Sequence, residues 1–178
     1  MSIELREVVC KKCGGNEFIL VSLTDTLSVL ECKFCSTKYE YKQLVVRVPR
    51  LIFERRGRDL FEFKLDESVL IGRESEYNYV LVKPETKNEE NTYIRNPYIS
   101  REHAKIEVRE ELVIRRVGKT EKNFAIKKCL IKDLRSSYGT AVNSSLLKPA
   151  EAKPLSHNDH IVLSPDSLMP LTIIFKET

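Results

Sequence analysis

The chain has 178 residues, of which 42% are hydrophobic and 31% are charged, so it is long enough for one ordinary domain, or for one domain with a small additional module. Its formal net charge of +4 suits a partner with some negative charge but does not require a nucleic acid. No stretch approaches the roughly 18 consecutive apolar residues of a membrane-spanning helix. The first ten residues, MSIELREVVC, lack the basic and apolar regions of a secretion signal. We therefore expect a cytoplasmic protein.

The first predicted module surrounds four cysteines, which form two CxxC pairs. They are Cys10, Cys13, Cys32 and Cys35. In a reducing compartment such pairs hold a metal far more often than they form disulfides, and four thiolates suit Zn²⁺ in a closed tetrahedral site. We interpret residues 1–43 as a zinc ribbon whose metal supplies most of the folding free energy. An iron site of the rubredoxin kind is the less favoured alternative.

From about residue 44 the chain is a succession of short predicted strands. In AKIEVRE, which begins at Ala104, apolar and charged residues alternate with the period of two that is typical of a half-buried strand. Many short strands joined by turns, with no amphipathic helix between them, indicate an all-β sandwich or barrel. We assign this second domain to residues 44–178. Two segments look like insertions: 83–97 is polar and strand-poor, and 115–128 is strongly basic.

Three stretches place polar groups where predicted strands begin or end. Arg73 ends one strand, Ser100 precedes another, and Ser136 and Ser137 lie in a turn. Each alone has an ordinary interpretation, such as a surface ion pair for the arginine or a turn residue for a serine. Together, a guanidinium, hydroxyls and turn amides are the groups that hold a phosphate dianion, and loops at one end of a sandwich bring such groups together.

Taken in order, these stretches resemble the forkhead-associated (FHA) domain over roughly residues 46–178. The matching motifs are Gly72-Arg73, Ser100-Arg101-x-His103 and Asp133-Leu134-x-Ser136-x-x-Gly139-Thr140-x-Val142-Asn143. The resemblance implies an 11-stranded β-sandwich whose loops bind phosphothreonine in a partner protein, downstream of a protein kinase. The predicted fold class is thus all-β: a small zinc ribbon followed by an FHA-type sandwich.

The resemblance also implies roles for individual residues. Those implied to bind the phosphopeptide are Arg73, Ser100, Arg101, Ser137 and Tyr138; those implied to be structural near the site are Gly72, His103, Gly139 and Asn143. Tyr138 departs from the family pattern, which usually has an asparagine that binds the peptide backbone, so this contact is either lost or replaced. The segment from Val80 to Ser100 is longer than the pattern and is expected beside the phosphate site, where it selects sequence context or covers the groove.

The pairing of a zinc ribbon with an FHA domain resembles archaeal zinc-ribbon/FHA proteins, including regulators of expression of the archaellum, the archaeal motility organelle. This implies a phosphorylation-dependent negative regulator whose partner is a von Willebrand A-domain protein. The alternative is a nucleic-acid-binding transcription regulator, in which the ribbon or the basic stretch 115–135 contacts phosphates and the FHA domain is the control module. We expect no enzyme, because the sequence has no nucleophile–base pair and the four cysteines leave no open metal position. In a self-regulatory variant, phosphorylated Thr86 or Thr92 occupies the groove.

Overall fold

The computed structural model describes residues 4–6, 10–15, 18–23, 27–42, 44–46, 48–117 and 120–177. Within these ranges every regular element is a β-strand, which confirms the prediction of an all-β protein. No helix in the described part of the chain is long and apolar enough to cross a membrane.

The strands follow one another closely along the chain. In order they are β1 (Glu4–Arg6), β2 (Phe18–Leu23), β3 (Leu27–Cys32), β4 (Lys38–Lys42), β5 (Leu44–Val46), β6 (Arg50–Arg55), β7 (Arg58–Lys64), β8 (Val69–Arg73), β9 (Tyr79–Pro84), β10 (Glu90–Arg95), β11 (Ala104–Val117), β12 (Thr120–Asp133), β13 (Thr140–Val142), β14 (Ser145–Leu146), β15 (Lys153–Pro154), β16 (His160–Leu163) and β17 (Leu171–Lys176).

The strands of the described residues form three sheets. The largest has the order β10-β9-β8-β11-β12-β15, with β1 paired to β11 and β5 paired in parallel to β12. The second has the order β14-β13-β16-β17-β6-β7, and the third is the small sheet β2-β3-β4. The first two sheets are the layers of a β-sandwich with a shared core, so the predicted all-β sandwich is confirmed.

Two compact units divide the chain. One groups Met1–Arg47 with Glu110–Ile126, and the other groups Val48–Arg109 with Lys127–Thr178. The outer parts of β11 and β12 belong to the first unit because β1 and β5 pair with them. The basic stretch expected as an enlarged connection therefore lies largely within two strands of 14 residues each. The predicted domain boundary between residues 43 and 44 stays a prediction.

In the first unit, the CxxC pairs lie beside the small sheet: Cys10 and Cys13 precede β2, Cys32 ends β3, and Cys35 lies between β3 and β4. β2 pairs antiparallel with β3, and β4 pairs antiparallel with the other edge of β3. Among the described side chains of this sheet, Leu30 and Cys32 are almost fully buried. A unit of this size rarely folds on a hydrophobic core alone, so a bound metal is the expected source of its stability.

In the second unit, the core fills the space between the two sheets of the sandwich. Alternation places Leu171, Ile173 and Phe175 of β17 on the buried side, and each such side chain contributes roughly 1.5–3 kcal/mol to folding. Phe53 packs edge-to-face on Phe61, with ring centroids 5.7 Å apart. This core fixes the strand ends from which the candidate site projects.

The prediction that the segment 83–97 is strand-poor is wrong. Residues 90–95 form β10, which pairs with β9. Thr92 and Ile94 point inward, and the Thr92 hydroxyl donates to the Val80 carbonyl at 2.7 Å. Only these two side chains of β10 are buried, and their neighbours are polar. The apolar alternation is therefore too short to be recognised in the sequence.

Candidate functional site

Arg73 ends β8 with its guanidinium fixed by neighbouring loops. Its Nε donates to the Ile99 carbonyl at 2.6 Å, and its Nη1 donates to Asn78 Oδ1 at 2.7 Å and to the Glu74 carbonyl at 3.3 Å. Nη2 has no hydrogen-bond partner within the described residues. Sequence analysis did not single out Asn78, which orients this arginine from a left-handed backbone position with φ of 62°.

Ser100 joins the loop before β11 to the turn after β12. Its Oγ accepts a hydrogen bond from the Ser137 amide at 3.0 Å. Because this oxygen is the acceptor there, the hydroxyl proton of Ser100 remains available to donate to a ligand. Two predicted site residues, on loops 37 positions apart in the chain, are thereby held side by side.

The buried imidazole of His103 links the same two loops by hydrogen bonds. It is 0% exposed. Nδ1 accepts from the Ser100 amide at 3.0 Å, so the proton lies on Nε2, which donates to the Gly139 carbonyl at 2.8 Å. Burial lowers the pKa of His103, and the imidazole is neutral at pH 7. Its implied structural role fits these contacts.

Gly72 allows two backbone segments to approach closely. A Cβ at this position would lie 1.9 Å from the carbonyl oxygen of Arg101. That oxygen accepts a hydrogen bond from the Arg73 amide at 3.3 Å. The glycine therefore brings the Ser100–His103 loop against the end of β8, while the side chain of Arg101 is exposed.

Asp133 shapes the turn that carries Ser137. Its carboxylate accepts from the Ser136 amide at 3.0 Å, from the Ser136 hydroxyl at 2.6 Å and from the Thr140 hydroxyl at 2.7 Å. Gly139 follows in a left-handed conformation with φ of 77°, which favours glycine. Three hydrogen bonds to one carboxylate therefore define the conformation of this turn.

Tyr138 lies at the tip of this turn and is 40% exposed. Its ring packs edge-to-face on Tyr98, with centroids 5.5 Å apart. Tyr98 is anchored in turn, since its amide donates to Asn96 Oδ1 and its carbonyl accepts from the Ser164 hydroxyl. The sequence interpretation missed Tyr98, and no local pattern marks it.

Asn143 lies apart from these groups. Its side chain donates to Asp159 Oδ1 at 2.8 Å and accepts from the His160 amide at 3.0 Å. It therefore fixes the turn between β13 and β14 to the start of β16. The residues that hydrogen bonds do bring together are Arg73, Ser100, His103 and Ser137, which we call the apical cluster.

The apical cluster offers a positive charge and several preoriented donors. Nη2 of Arg73 and the hydroxyl of Ser100 are available, and the exposed side chains of Arg101 and Arg135 add positive charge nearby. Such groups bind a doubly charged oxyanion with charge-assisted hydrogen bonds. Within the described residues, the cluster contains no nucleophile activated by a base.

A family model described as the FHA domain matches residues 69–164, which is more than half of the chain and includes the whole apical cluster. The chain belongs to the FHA-domain family. The resemblance drawn from the three motifs is therefore confirmed at the level of the family.

Solved structures of the yeast Pml1 protein share this fold. The crystal structure of full-length yeast Pml1p is 22% identical, with a TM-score of 0.51, and the match covers 74% of this chain and 83% of that one. A structure of the yeast Pml1 splicing factor and its integration into the RES complex is 22% identical, with a TM-score of 0.52, and the match covers 74% of this chain and 80% of that one. The crystal structure of the MEK1 FHA domain in complex with the HOP1 pThr318 peptide is 23% identical, with a TM-score of 0.44, and the match covers 73% of this chain and 96% of that one. None of the curated proteins compared with the chain matches it.

Outside the FHA domain, the four cysteines of the CxxC pairs converge. Their sulfur atoms all lie within 4.8 Å of one another, with Cys10 3.6 Å from Cys35 and Cys13 3.6 Å from Cys32. A tetrahedral ion with metal–sulfur bonds of about 2.3 Å requires sulfur atoms about 3.8 Å apart. The four thiolates therefore fit a metal ion.

The backbone around each CxxC pair follows the same design. The amide of Gly14 donates to the Cys10 carbonyl, and the amide of Ser36 donates to the Cys32 carbonyl. Both donors have positive φ, 75° for the glycine and 55° for the serine. A hydrogen bond with the Tyr39 hydroxyl lowers the pKa of Cys10 to about 6, which favours the thiolate that a metal requires.

Proposed function

We propose that this FHA-family protein is a phosphothreonine-dependent protein-binding adaptor. The observation that carries the proposal is the apical cluster, in which the Arg73 guanidinium and the Ser100 hydroxyl are fixed on one continuous network of loops. Phosphorylation adds about −1.5 to −2 charges, so these donors discriminate strongly against an unmodified chain. Membership of the FHA family supports the same function.

A titration with three matched peptides tests this function. Peptides that contain phosphothreonine, phosphoserine or unmodified threonine in the same sequence are titrated into the full chain. We expect tight binding of the first, weaker binding of the second and none of the third. Equal, weak binding of all three would remove the proposal.

We further propose a cellular role as a phosphorylation-linked negative regulator of archaeal motility gene expression in the cytoplasm. The combination of a four-cysteine unit with an FHA domain supports this role, and the expected partner is a threonine-phosphorylated von Willebrand A-domain protein. A pull-down from native lysate, with and without phosphatase treatment, checks the partner. Capture that is unchanged by phosphatase would contradict it.

The metal that we propose for the four cysteines is Zn²⁺, in a structural rather than catalytic role. An all-sulfur tetrahedral set closes the coordination sphere and leaves no position for substrate. Native mass spectrometry of the purified chain should find one zinc ion, and iron in its place would correct the assignment.

A second candidate function is nucleic-acid binding through the ribbon or the basic residues between 115 and 135. The density of lysine and arginine in that stretch favours it. A mobility-shift assay at low salt separates the two functions, because binding to phosphates of a nucleic acid weakens steeply as salt is added.

A further inference from the structure

Three tyrosines form an aromatic surface beside Arg73, which we call the tyrosine ledge: Tyr77, Tyr79 and Tyr93. Ring centroids are 6.1 Å apart for Tyr77 and Tyr79, and 5.9 Å apart for Tyr79 and Tyr93. Tyr77 is 52% exposed and Tyr93 is 78% exposed. Tyrosine rings that are this exposed do not form part of the hydrophobic core. Tyrosine is enriched at protein–protein interfaces.

The backbone of β10 is arranged to present Tyr93. A β-bulge between Asn91 and Arg95 interrupts the pairing with β9, and Tyr93 adopts a φ of 57°, which is uncommon for a bulky residue. The Asn91 side chain accepts from the Tyr93 amide at 2.8 Å and holds this conformation. Strained conformations of this kind cluster at binding sites.

The ledge is connected to the apical cluster through Asn78. This residue lies between two of the ledge tyrosines, and its side chain accepts a hydrogen bond from Nη1 of Arg73 at 2.7 Å. Its carbonyl accepts from the Asn96 amide at 2.9 Å, at the start of the loop that carries Ser100. A chain whose phosphate lies on Arg73 therefore passes close to the ledge.

Charged side chains of both signs flank the ledge. Glu74 and Glu76 precede Tyr77 in the chain, and Glu76 forms no ion pair or hydrogen bond within the described residues, whereas Arg73 and Arg95 are the cations beside the rings. The guanidinium of Arg95 stands 5.3 Å over the Tyr79 ring, so the ledge already holds one cation–π contact. The two exposed rings and Glu76 provide what a second cation needs.

We propose that the tyrosine ledge binds an arginine or lysine side chain of the phosphorylated partner, close in sequence to the phosphothreonine. The inference rests on the proposed phosphothreonine binding and deepens it. The expected binding partners are therefore proteins phosphorylated by kinases that recognise basic sequences around the threonine. Tyr77 and Tyr93 determine specificity, and Glu76 supplies the negative charge.

A positional scan with a single arginine in a synthetic phosphopeptide tests the proposal. The peptide has phosphothreonine at its centre and alanines around it, and the arginine is moved through the positions on both sides. Fluorescence anisotropy with the full chain should show affinity rising about tenfold at one or two positions on one side. In the Tyr77→Ala/Tyr93→Ala double variant, the arginine peptide should bind no better than the alanine peptide.

Three controls keep the outcomes distinct. Tyr93→Phe should retain the gain from arginine, Glu76→Gln should reduce it, and Leu60→Ala, which removes an exposed apolar side chain elsewhere on the sandwich, should leave it unchanged. If wild-type protein binds no phosphopeptide, the proposed function fails. If it binds the phosphopeptides but ignores the arginine, or if the double variant keeps the gain, only the ledge proposal fails.

Discussion

At the scale of single residues, Arg73 combines a fixed geometry with an available charge. Two of its nitrogens are used by Ile99, Asn78 and Glu74, so the guanidinium does not need to be ordered when a phosphate binds. The entropy that a flexible side chain loses on binding is therefore largely absent. This geometry belongs to arginine and not to lysine, whose ammonium lacks the planar fork.

We expect Arg73→Lys to weaken phosphothreonine-peptide binding about tenfold or more, and Arg73→Ala to weaken it further, because a charge-assisted hydrogen bond contributes about 1.5–3 kcal/mol. Isothermal titration calorimetry measures both. Arg58→Ala, on the exposed surface of β7, is the matched control and should bind as wild type does. Equal affinities for Arg73→Ala and wild type would show that the phosphate lies elsewhere.

Gly72→Ala is expected to destabilise the sandwich by about 1–3 kcal/mol, because the added methyl group overlaps the Arg101 carbonyl and the loop must move. Urea unfolding measures the change. Gly57→Ala is the comparison: nothing lies within 4 Å of its Cβ, and only its φ of 73° is unfavourable. A loss no greater than that of Gly57→Ala would contradict the close approach.

His103 should make stability depend on pH. Since burial lowers its pKa in the folded state, the unfolded chain binds a proton at higher pH than the folded chain does. This contribution to stability is present above about pH 6.5, the value of an unperturbed histidine, and is lost as the pH falls below it. Urea midpoints between pH 5 and 8 check this, with His157→Gln as control. An unchanged slope in His103→Asn would contradict it.

Sequence patterns found the residues of the apical cluster because their motifs are short and local. Asn78 and Tyr98 were missed for a physical reason. Each acts through a partner that only the fold brings near, Arg73 for the asparagine and Tyr138 for the tyrosine. Nothing in their immediate sequence differs from an ordinary loop.

At the scale of elements, β11 and β10 show what a sequence predicts and what it hides. The alternation that begins at Ala104 predicted β11 because the inward residues are strongly apolar and the outward ones are charged. β10 has threonine and isoleucine as its buried pair and a bulge that shifts its register. A strand stabilised by a hydrogen-bonded Thr92 lacks the periodic apolar signal on which the prediction depends.

Thr92→Val should destabilise the protein by about 1–3 kcal/mol, because the buried Val80 carbonyl and Ile94 amide each lose a partner. Thr86→Val is the matched control: its exposed hydroxyl donates to Glu67, and the change should be within about 0.5 kcal/mol. Thermal unfolding measures both. Equal stability of the two variants would show that the Thr92 hydroxyl has no structural role.

At the scale of the whole molecule, the two units have different sources of stability. The sandwich has an extensive buried core, whereas the described part of the CxxC unit buries few apolar side chains. Chelation should therefore unfold the small sheet and leave the sandwich folded, since metal binding supplies the folding free energy of such units. Circular dichroism and limited proteolysis, with Cys129→Ser as a control, measure this. Unfolding of the sandwich by the chelator would contradict it.

The buried, neutral imidazole of His103 has a consequence for the partner rather than for the fold. Burial opposes protonation of that ring, and the guanidinium of Arg73 is permanently charged, so the charge of the apical cluster resists mild acidification while the protein is folded. The phosphate, by contrast, has a second ionisation near pH 6. Mild acidification should thus weaken binding of the partner chiefly by protonating the ligand, at pH values where the receptor is still folded.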